Sequence, residues 1–411
     1  MTLSQVVDTH VSGEYKKASH RSANFESRID FKLPAITAIP ASIIVTKRKA
    51  SDSQPVPTGG LSVQIARIDR QLLKLLQERA RLSAARPLSG DAQSPPGVPA
   101  AEEEDVYARV LGLSKGPLSR RCVRAIFREL ISGCRALVQE LRVAFLGPQL
   151  SFSHLAAIHR FGQSVEFVPV NTIAAVFEEV NRGHSHFGLV PIENSTDGRI
   201  ADTLDMFTRL PVRMCGEVEM HIHHTLLAKC PRNEIQEVYS KPQALSQCRN
   251  WLIKHLPAAR TIEVTSTSMA AQLAKEKPGA AAIASVQAGV HYGLDVLAER
   301  IEDNSSNITR FAIIGAASAP RSGNDRTAML FQVEHRPGSL VDALAIFRRN
   351  RLNMTWIESF PIPESNRKYW FFVELEGHES DSRVRRAVAT LGKKAVRLEI
   401  LGSFPIGETL E

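Results

Sequence analysis

The sequence contains no run of about 18 apolar residues, so no membrane-spanning helix is expected. Cysteine is scarce and scattered. Cys122, Cys134, Cys215, Cys230 and Cys248 are odd in number and form no C-x-x-C pair. This argues against a disulfide framework or a cysteine zinc site and fits a reducing, cytoplasmic setting. G-x-S-x-G, H-E-x-x-H and the P-loop are also missing, which leaves no motif for a nucleophile elbow, a zinc peptidase or a nucleotide site. The net charge of +8 is not concentrated; only KRK at 47–49 and a few RR pairs stand out. It reads as a solvated surface or an attraction for anionic metabolites, not as a nucleic-acid footprint.

What is present is ordinary globular material, 43% hydrophobic and 23% charged over 411 residues, enough for about two to four domains. Residues 1–60 are rich in Ser and Thr, weakly periodic, and end in SDSQPVPTGG, so they read as a disordered extension or linker. LPAITAIPASIIV within them makes a poor signal peptide, and Asp8, Glu14, Glu26 and Asp30 weaken a transit-peptide reading. From Leu61, apolar residues recur at helical spacing through Leu82. Four prolines in 87–100 interrupt the helix. A second helix starts at EEEDVYARVLGL, and a third spans 119–141 with Ile126, Leu130, Leu137 and Leu141 on one face. Residues 61–141 therefore form a small all-α domain.

Beyond Leu141, strands and helices alternate. RVAFLG, VEFVPV, HFGLVPI, MHIHHTLLA, IQEVYS, TIEVTS, GAAAIAS and ITRFAIIG read as strands, with helical stretches between most of them, VQAGVHYGLDVLAE among these. This α/β pattern over 142–318 implies a mainly parallel sheet, or two sheets flanking a cleft. After a linker-like ASAPRSGND, residues 325–411 follow the order βαββαβ, which is ferredoxin-like.

Polar clusters fall at strand ends, where open α/β folds collect ligands. VPIENSTDGRI runs a buried-looking strand into Glu193, Asn194, Ser195, Thr196 and Asp197; a polar turn would use the same residues. In GPQLSFSHLAA, Ser151 and Ser153 can cap a helix, whose free N–H groups suit a carboxylate. YSKPQALSQC repeats the theme at Ser240. SSNITRF puts Asn307, Thr309 and Arg310 at a strand start; a buried Arg there must find an anion. In HIHH, His221 and His223 share one face of the expected strand, but no third metal ligand can be named.

GPQLSFSHLAA, VPIENSTDGRIADTLDMF, YSKPQALSQC, YGLDVLAERIEDNSSNITRF and RPGSL…WIESFP together resemble prephenate dehydratase with its appended ACT domain, over residues 142–408. The resemblance implies a two-lobed, periplasmic-binding-protein-like catalytic domain that converts prephenate to phenylpyruvate, losing carbon dioxide and water without metal or organic cofactor. It implies Thr309 as the hydrogen-bond donor to the departing hydroxyl, with Arg310 on a substrate carboxylate. Asn194, Ser195, Ser240, Gln247 and Ser151 complete the cage. Leu150 and Ser151 stand where the family usually has Gly-Thr, and Lys241 where it has His. Arogenate is an alternative substrate.

The C-terminal module is similar to an ACT domain, a feedback site for phenylalanine. Pro337, Gly338, Ser339 and Leu340 would open its first helix, with Glu358 and Ser359 nearby; Phe360 replaces the family's Arg. Residues 61–141 resemble a chorismate mutase. Arg79 is kept, but Ser62 and Glu102 stand at usual Arg positions, and Cys134 and Val138 at the usual Ser and Gln. Arg67, Arg86 or Arg109 could substitute. The expectation is a weak or inactive mutase that dimerises, within a homodimer or homotetramer; the alternatives are a bifunctional enzyme with both activities and, less favoured, a non-catalytic amino-acid sensor.

Overall fold

The computed structural model describes residues 58–85, 100–196, 198–362, 368–407 and 409–410. Most of the expected 1–60 extension, the proline-rich 87–99 stretch, Arg86, Asp197 and the Glu102 side chain lie outside the described residues. Contacts divide the chain into Met1–Ser62 and Val63–Glu411, and apart from the first residues of α1 the second unit carries all that follows.

The helical region comprises α1 (Thr58–Ala84), α2 (Ala100–Leu113) and α3 (Arg120–Ala136). Thr58–Gly60, expected as linker, begin α1. Ser119 caps α3 by accepting the Cys122 N–H. The buried side of α3 is Val123, Ile131 and Cys134, against Tyr107 and Leu111 of α2. Ile126 and Leu137, expected inward, are 49% and 64% exposed. The helix ends before Leu137, so the anticipated stripe is not one continuous face.

Two sheets follow. The first lobe contains β1 (Arg142–Leu146), α4 (Phe152–Phe161), β2 (Glu166–Val170), α5 (Ile173–Asn181), β3 (Phe187–Asn194), β4 (Gly198–Arg199), α6 (Ala201–Arg209) and β5 (Arg213–His221). The chain then crosses to the second lobe. There it forms β6 (Thr225–Ala228), β7 (Glu237–Ser240), α7 (Pro242–Gln247), α8 (Arg249–His255), β8 (Arg260–Glu263), α9 (Thr267–Glu276), β9 (Ala280–Ala284), α10 (Val286–Tyr292) and β10 (Asp295–Ala298). It returns as β11 (Ile308–Gly315) to the first sheet, between β5 and β3.

Of the two expected arrangements, one mainly parallel sheet or two sheets flanking a cleft, this part of the chain forms two sheets, and both are mixed. β2-β1-β3 and β8-β7-β9 are parallel, but β11 runs antiparallel to β3 and β5, and β6 to β9 and β10. MHIHHTLLA is not one strand, because it breaks at 222–224 where the chain changes sheets. VQAGVHYGLDVLAE is likewise divided: Gly293 adopts the left-handed conformation at φ 67° and ends α10, after which β10 begins.

The C-terminal region runs β12 (Asp325–Gln332), α11 (Ser339–Arg349), β13 (Met354–Pro361), β14 (Tyr369–Glu376), α12 (Ser382–Gly392), β15 (Arg397–Pro405), in sheet order β13-β14-β12-β15. This is the expected βαββαβ arrangement. Strand alternation sorts its side chains: Met329, Phe331, Val373 and Leu375 pack on α11 and α12, while Ala328, Leu330, Trp370 and Phe372 join Leu204, Phe207 and Met214 of the first lobe. A last strand, β16 (Thr409–Leu410), pairs with β5.

Gly402 marks the closest approach. It adopts φ 143°, and a Cβ there would meet the Met214 carbonyl oxygen at 2.1 Å. Gly402→Ala should therefore destabilise the protein by about 1–3 kcal/mol or more, read as a lowered denaturation midpoint. An unchanged midpoint would mean that the two sheets can separate without cost.

Candidate functional site

Both connections between the lobes, 222–224 and 299–307, lie side by side. The Ile222 N–H donates to the Asn307 carbonyl at 2.8 Å, and the Ile301 N–H to the His224 carbonyl at 3.0 Å. Glu302 locks the pair by accepting the His224 N–H at 2.9 Å and facing His223 Nδ1 at 2.7 Å. The site is built around these crossovers.

Asn194 ends β3 and pairs in register with Thr309 of β11. A bulge makes this possible. Between Phe311↔Pro191 and Arg310↔Glu193, β3 carries the extra residue Ile192. Strict alternation would leave Asn194 on the same side as Val190 and Ile192; the bulge re-aims it toward Thr309. Asn194 Nδ2 then donates to Thr309 Oγ1 at 2.8 Å and to Asn307 Oδ1 at 3.0 Å.

The polarity of this network is fixed from the backbone. The Thr196 N–H donates to Asn194 Oδ1 at 2.9 Å, which makes the other end of the Asn194 amide the donor. Asn307 Nδ2 in turn donates to Gln247 Oε1 at 3.0 Å, and that oxygen lies 2.9 Å from His224 Nε2. An oxygen acceptor requires Nε2 to carry the proton. Burial holds the His224 pKa below the usual imidazole value and keeps the ring neutral. Thr309 accepts from Asn194, and among the described residues its own O–H reaches no acceptor, so that hydrogen is available to donate outward.

The expected residues are therefore partly gathered. Asn194, Thr309 and Gln247 belong to one buried chain of hydrogen bonds. Ser195 latches the turn to the second crossover by donating to the Ser306 carbonyl at 3.1 Å and accepting the Ile308 N–H at 2.9 Å. Ser240 is fully buried, with its hydroxyl committed to the Ile283 carbonyl at 2.6 Å. Ser151 caps α4, accepting the His154 N–H and donating to the Leu146 carbonyl. Leu150 sits at φ 65°, a conformation that costs a branched side chain more than glycine. Across the lobes, Ser268 of α9 donates to the Gln149 carbonyl at 2.9 Å and Ser285 to the Leu150 carbonyl at 3.4 Å.

Arg310 is a correction. It points to the opposite face of β11, where its guanidinium meets Glu193, Glu217 and Glu374 at 2.8–3.0 Å. Already bonded to carboxylates, it does not face Thr309's surroundings. Asn307 joins the network from the cluster it shares with Thr309, and His224 enters it without an expected site role. The signal for Asn307 was its place two residues before Thr309, just ahead of β11; that for His224 lay in HIHH, considered there only for metal. His221 and His223 stack with ring centroids 5.9 Å apart, and among the described residues no three potential ligands gather for a metal.

In the C-terminal region, a hollow of about 120 Å³ lies between the 333–336 loop, Ser339, Leu340, Tyr369 and Phe371. Gly338 starts α11 at φ 86°. Pro337 and Gly338 do not line the hollow, and neither do Glu358 and Ser359: Arg199 of β4 lies 3.7 Å from Glu358 Oε2 and donates to the Ser359 carbonyl at 2.7 Å. In the helical region, Arg79 donates to the Cys134 sulfur, and buried Glu103 pairs with Arg135 and with Arg160 at 3.2 Å. Among the described residues no helix is long and apolar enough to cross a membrane.

Comparison with known proteins finds two families along the chain. The prephenate dehydratase family matches residues 143–319, and chorismate mutase type II matches 61–139. The chain is 40% identical over 351 residues to the bifunctional chorismate mutase/prephenate dehydratase of Aquifex aeolicus, covering 84% of this chain and 97% of that protein. Among solved structures it resembles prephenate dehydratase of Arthrobacter aurescens in complex with L-Phe, with TM-score 0.60 and 31% identity over 65% of this chain and 90% of that one. It also resembles GqqA, described as a quorum quenching acylase, with TM-score 0.59 and 27% identity over 64% and 97%.

Proposed function

The chain belongs to the bifunctional chorismate mutase/prephenate dehydratase family, and we propose that its two-lobed domain converts prephenate to phenylpyruvate with Thr309 as the group that assists departure of the ring hydroxyl. The observation that carries this reading is the polarity around Thr309, whose oxygen accepts from Asn194 and whose hydrogen finds no acceptor among the described residues. In the reaction, the ring carboxylate leaves as carbon dioxide. Its C–C bonding pair moves into the ring, and the opposite C–O bond breaks to expel hydroxide, which solvent protonates to water. A donor at the departing oxygen stabilises the charge that develops there. With Arg310 turned away, the substrate carboxylates are met by α4 and α9, whose capped N-termini carry partial positive charge. Ser151, Ser195, Ser240 and Gln247 shape and hold this surface. An acylase reading is disfavoured, because an amide N–H on Thr309 Oγ1 cannot take its proton and make it a nucleophile.

Phenylalanine is proposed to bind the C-terminal, ACT-like module at the Ser339–Leu340 hollow and regulate turnover. The helical domain is proposed to be a weak or inactive mutase. A buried carboxylate at Glu103 pairs with both Arg135 and Arg160 and offsets one of their two positive charges, which leaves less positive charge for a dianion. Its role is then assembly. Ile65, Ile68, Leu72, Leu75 and Leu82 of α1 are 52–68% exposed in the single chain, an apolar stripe that a second copy would cover in a cytoplasmic homo-oligomer.

One panel tests these points: turnover of prephenate, arogenate and chorismate by the full-length protein, with and without phenylalanine. The expected result is prephenate turnover reduced by phenylalanine, with chorismate conversion at least about 100-fold below that of a competent mutase, as lost cationic stabilisation of a few kcal/mol dictates. Brisk chorismate turnover would establish the bifunctional alternative, preference for arogenate would change the substrate, and indifference to phenylalanine would make the C-terminal module structural.

A further inference from the structure

We propose that Arg310 is a positioning residue, a buried clamp through which the C-terminal sheet fixes the strand that presents Thr309. The proposal rests on the dehydratase reading of the cleft. Arg310 is adjacent to Thr309 but on the other face of β11, and its side chain is only 12% exposed. Its Nη1 lies 2.9 Å from Glu193 Oε2 of β3; Nη2 lies 2.8 Å from Glu217 Oε2 of β5 and 3.0 Å from Glu374 Oε2 of β14; Nε lies 3.7 Å from Glu219 Oε1 of β5. The guanidinium also sits 5.3 Å from the centroid of the Trp356 ring on β13. Arg326 of β12 closes the cluster at 2.9 Å from Glu217 Oε1 and 3.9 Å from Glu219 Oε1, and the Gly407 N–H donates to Glu217 at 3.0 Å.

The C-terminal sheet thus reaches one residue of β11 through β12, β13 and β14, and the neighbouring residue is the reactive threonine. A displacement of about 1 Å at the reacting group is enough to cost about 10²-fold in rate. Glu217 and Glu374 have side chains 1% exposed and share the same guanidinium nitrogen. Burial pushes the Glu374 pKa up to about 7, with Arg310 opposing the rise and the Glu217 charge adding to it. A carboxyl raised on folding contributes stability that is full below its unfolded pKa and is lost as pH climbs through the folded value. The stability this carboxyl contributes is therefore lost as pH rises through about 7, when one more negative charge enters beside buried Glu217.

The test is kcat and KM for prephenate with full-length wild type, Arg310→Met, Arg310→Lys and Glu374→Gln, from about pH 6 to about pH 9. Arg310→Met should lower kcat about 10²-fold with KM within about threefold, and Arg310→Lys should recover at least about tenfold of that loss. Glu374→Gln should remove the decline in kcat that wild type shows above about pH 7. Wild-type kcat in Arg310→Met, a loss confined to KM, no rescue by lysine, or an unaltered pH profile in Glu374→Gln would each overturn the clamp. If wild type fails to turn over prephenate, the dehydratase reading falls, and amide exchange across Ile308–Phe311 decides the clamp separately. Exchange that is faster in Arg310→Met and restored in Arg310→Lys supports it; equal exchange in all three defeats it.

Discussion

Replacing Thr309 by valine should lower kcat for prephenate about 10²–10⁴-fold while KM stays within about threefold. Valine keeps the branched shape and fills the same volume, so the local packing of β11 survives. What disappears is the hydroxyl that accepts from Asn194 at 2.8 Å and is proposed to donate to the departing oxygen. The ground state does not need that donor, because the ring hydroxyl is neutral until its bond to carbon stretches. The transition state does need it, and the loss therefore falls on kcat. Steady-state kinetics on the folded variant decide the matter: wild-type kcat would remove Thr309 from the chemistry, and a change in KM alone would make it a binding residue.

Asn307→Ala is the second large effect. Asn307 is 2% exposed, takes a hydrogen bond from Asn194 and gives one to Gln247. Its truncation removes one partner from each, in a place where water does not easily substitute. Such losses cost about 1–3 kcal/mol per buried group, or roughly 10–100-fold in rate when the geometry of the reacting group depends on them. The expected outcome is a fall in both kcat and kcat/KM with a lowered thermal midpoint. A variant with lowered stability and unchanged kcat would show that the chain only holds the crossovers together and does not orient Thr309.

Much of this was legible from the residues. The three regions, the βαββαβ order and the meeting of Asn194 with Thr309 followed from periodicity and family motifs. The sheets' directions did not, because RMCGEVEM lacks clean alternation and β5 went unread, and with it the antiparallel partner of β11. The break within HIHH is equally silent: local residues do not announce that a chain is changing sheets. Arg310 could have been placed from the start. Consecutive residues on a strand face opposite ways, so Thr309 and Arg310 cannot both look into one cleft. Family resemblance obscured that elementary constraint. The anions around Arg310 come from positions 193, 217, 219 and 374, too far apart in sequence for any local pattern to reveal. Asn194 shows the reverse case, where simple alternation would fail and only the bulge at Ile192 puts it right.

The paired crossovers have a mechanical consequence. Two short straps lying side by side resist shear and twist, but they permit folding along the line between them. Entry of reactant and escape of product are thereby confined to a clamshell stroke about one axis. Each opening must detach Ser268 and Ser285 from the Gln149–Leu150 loop. These two hydrogen bonds are therefore the contacts that a clamshell stroke breaks and remakes at every opening.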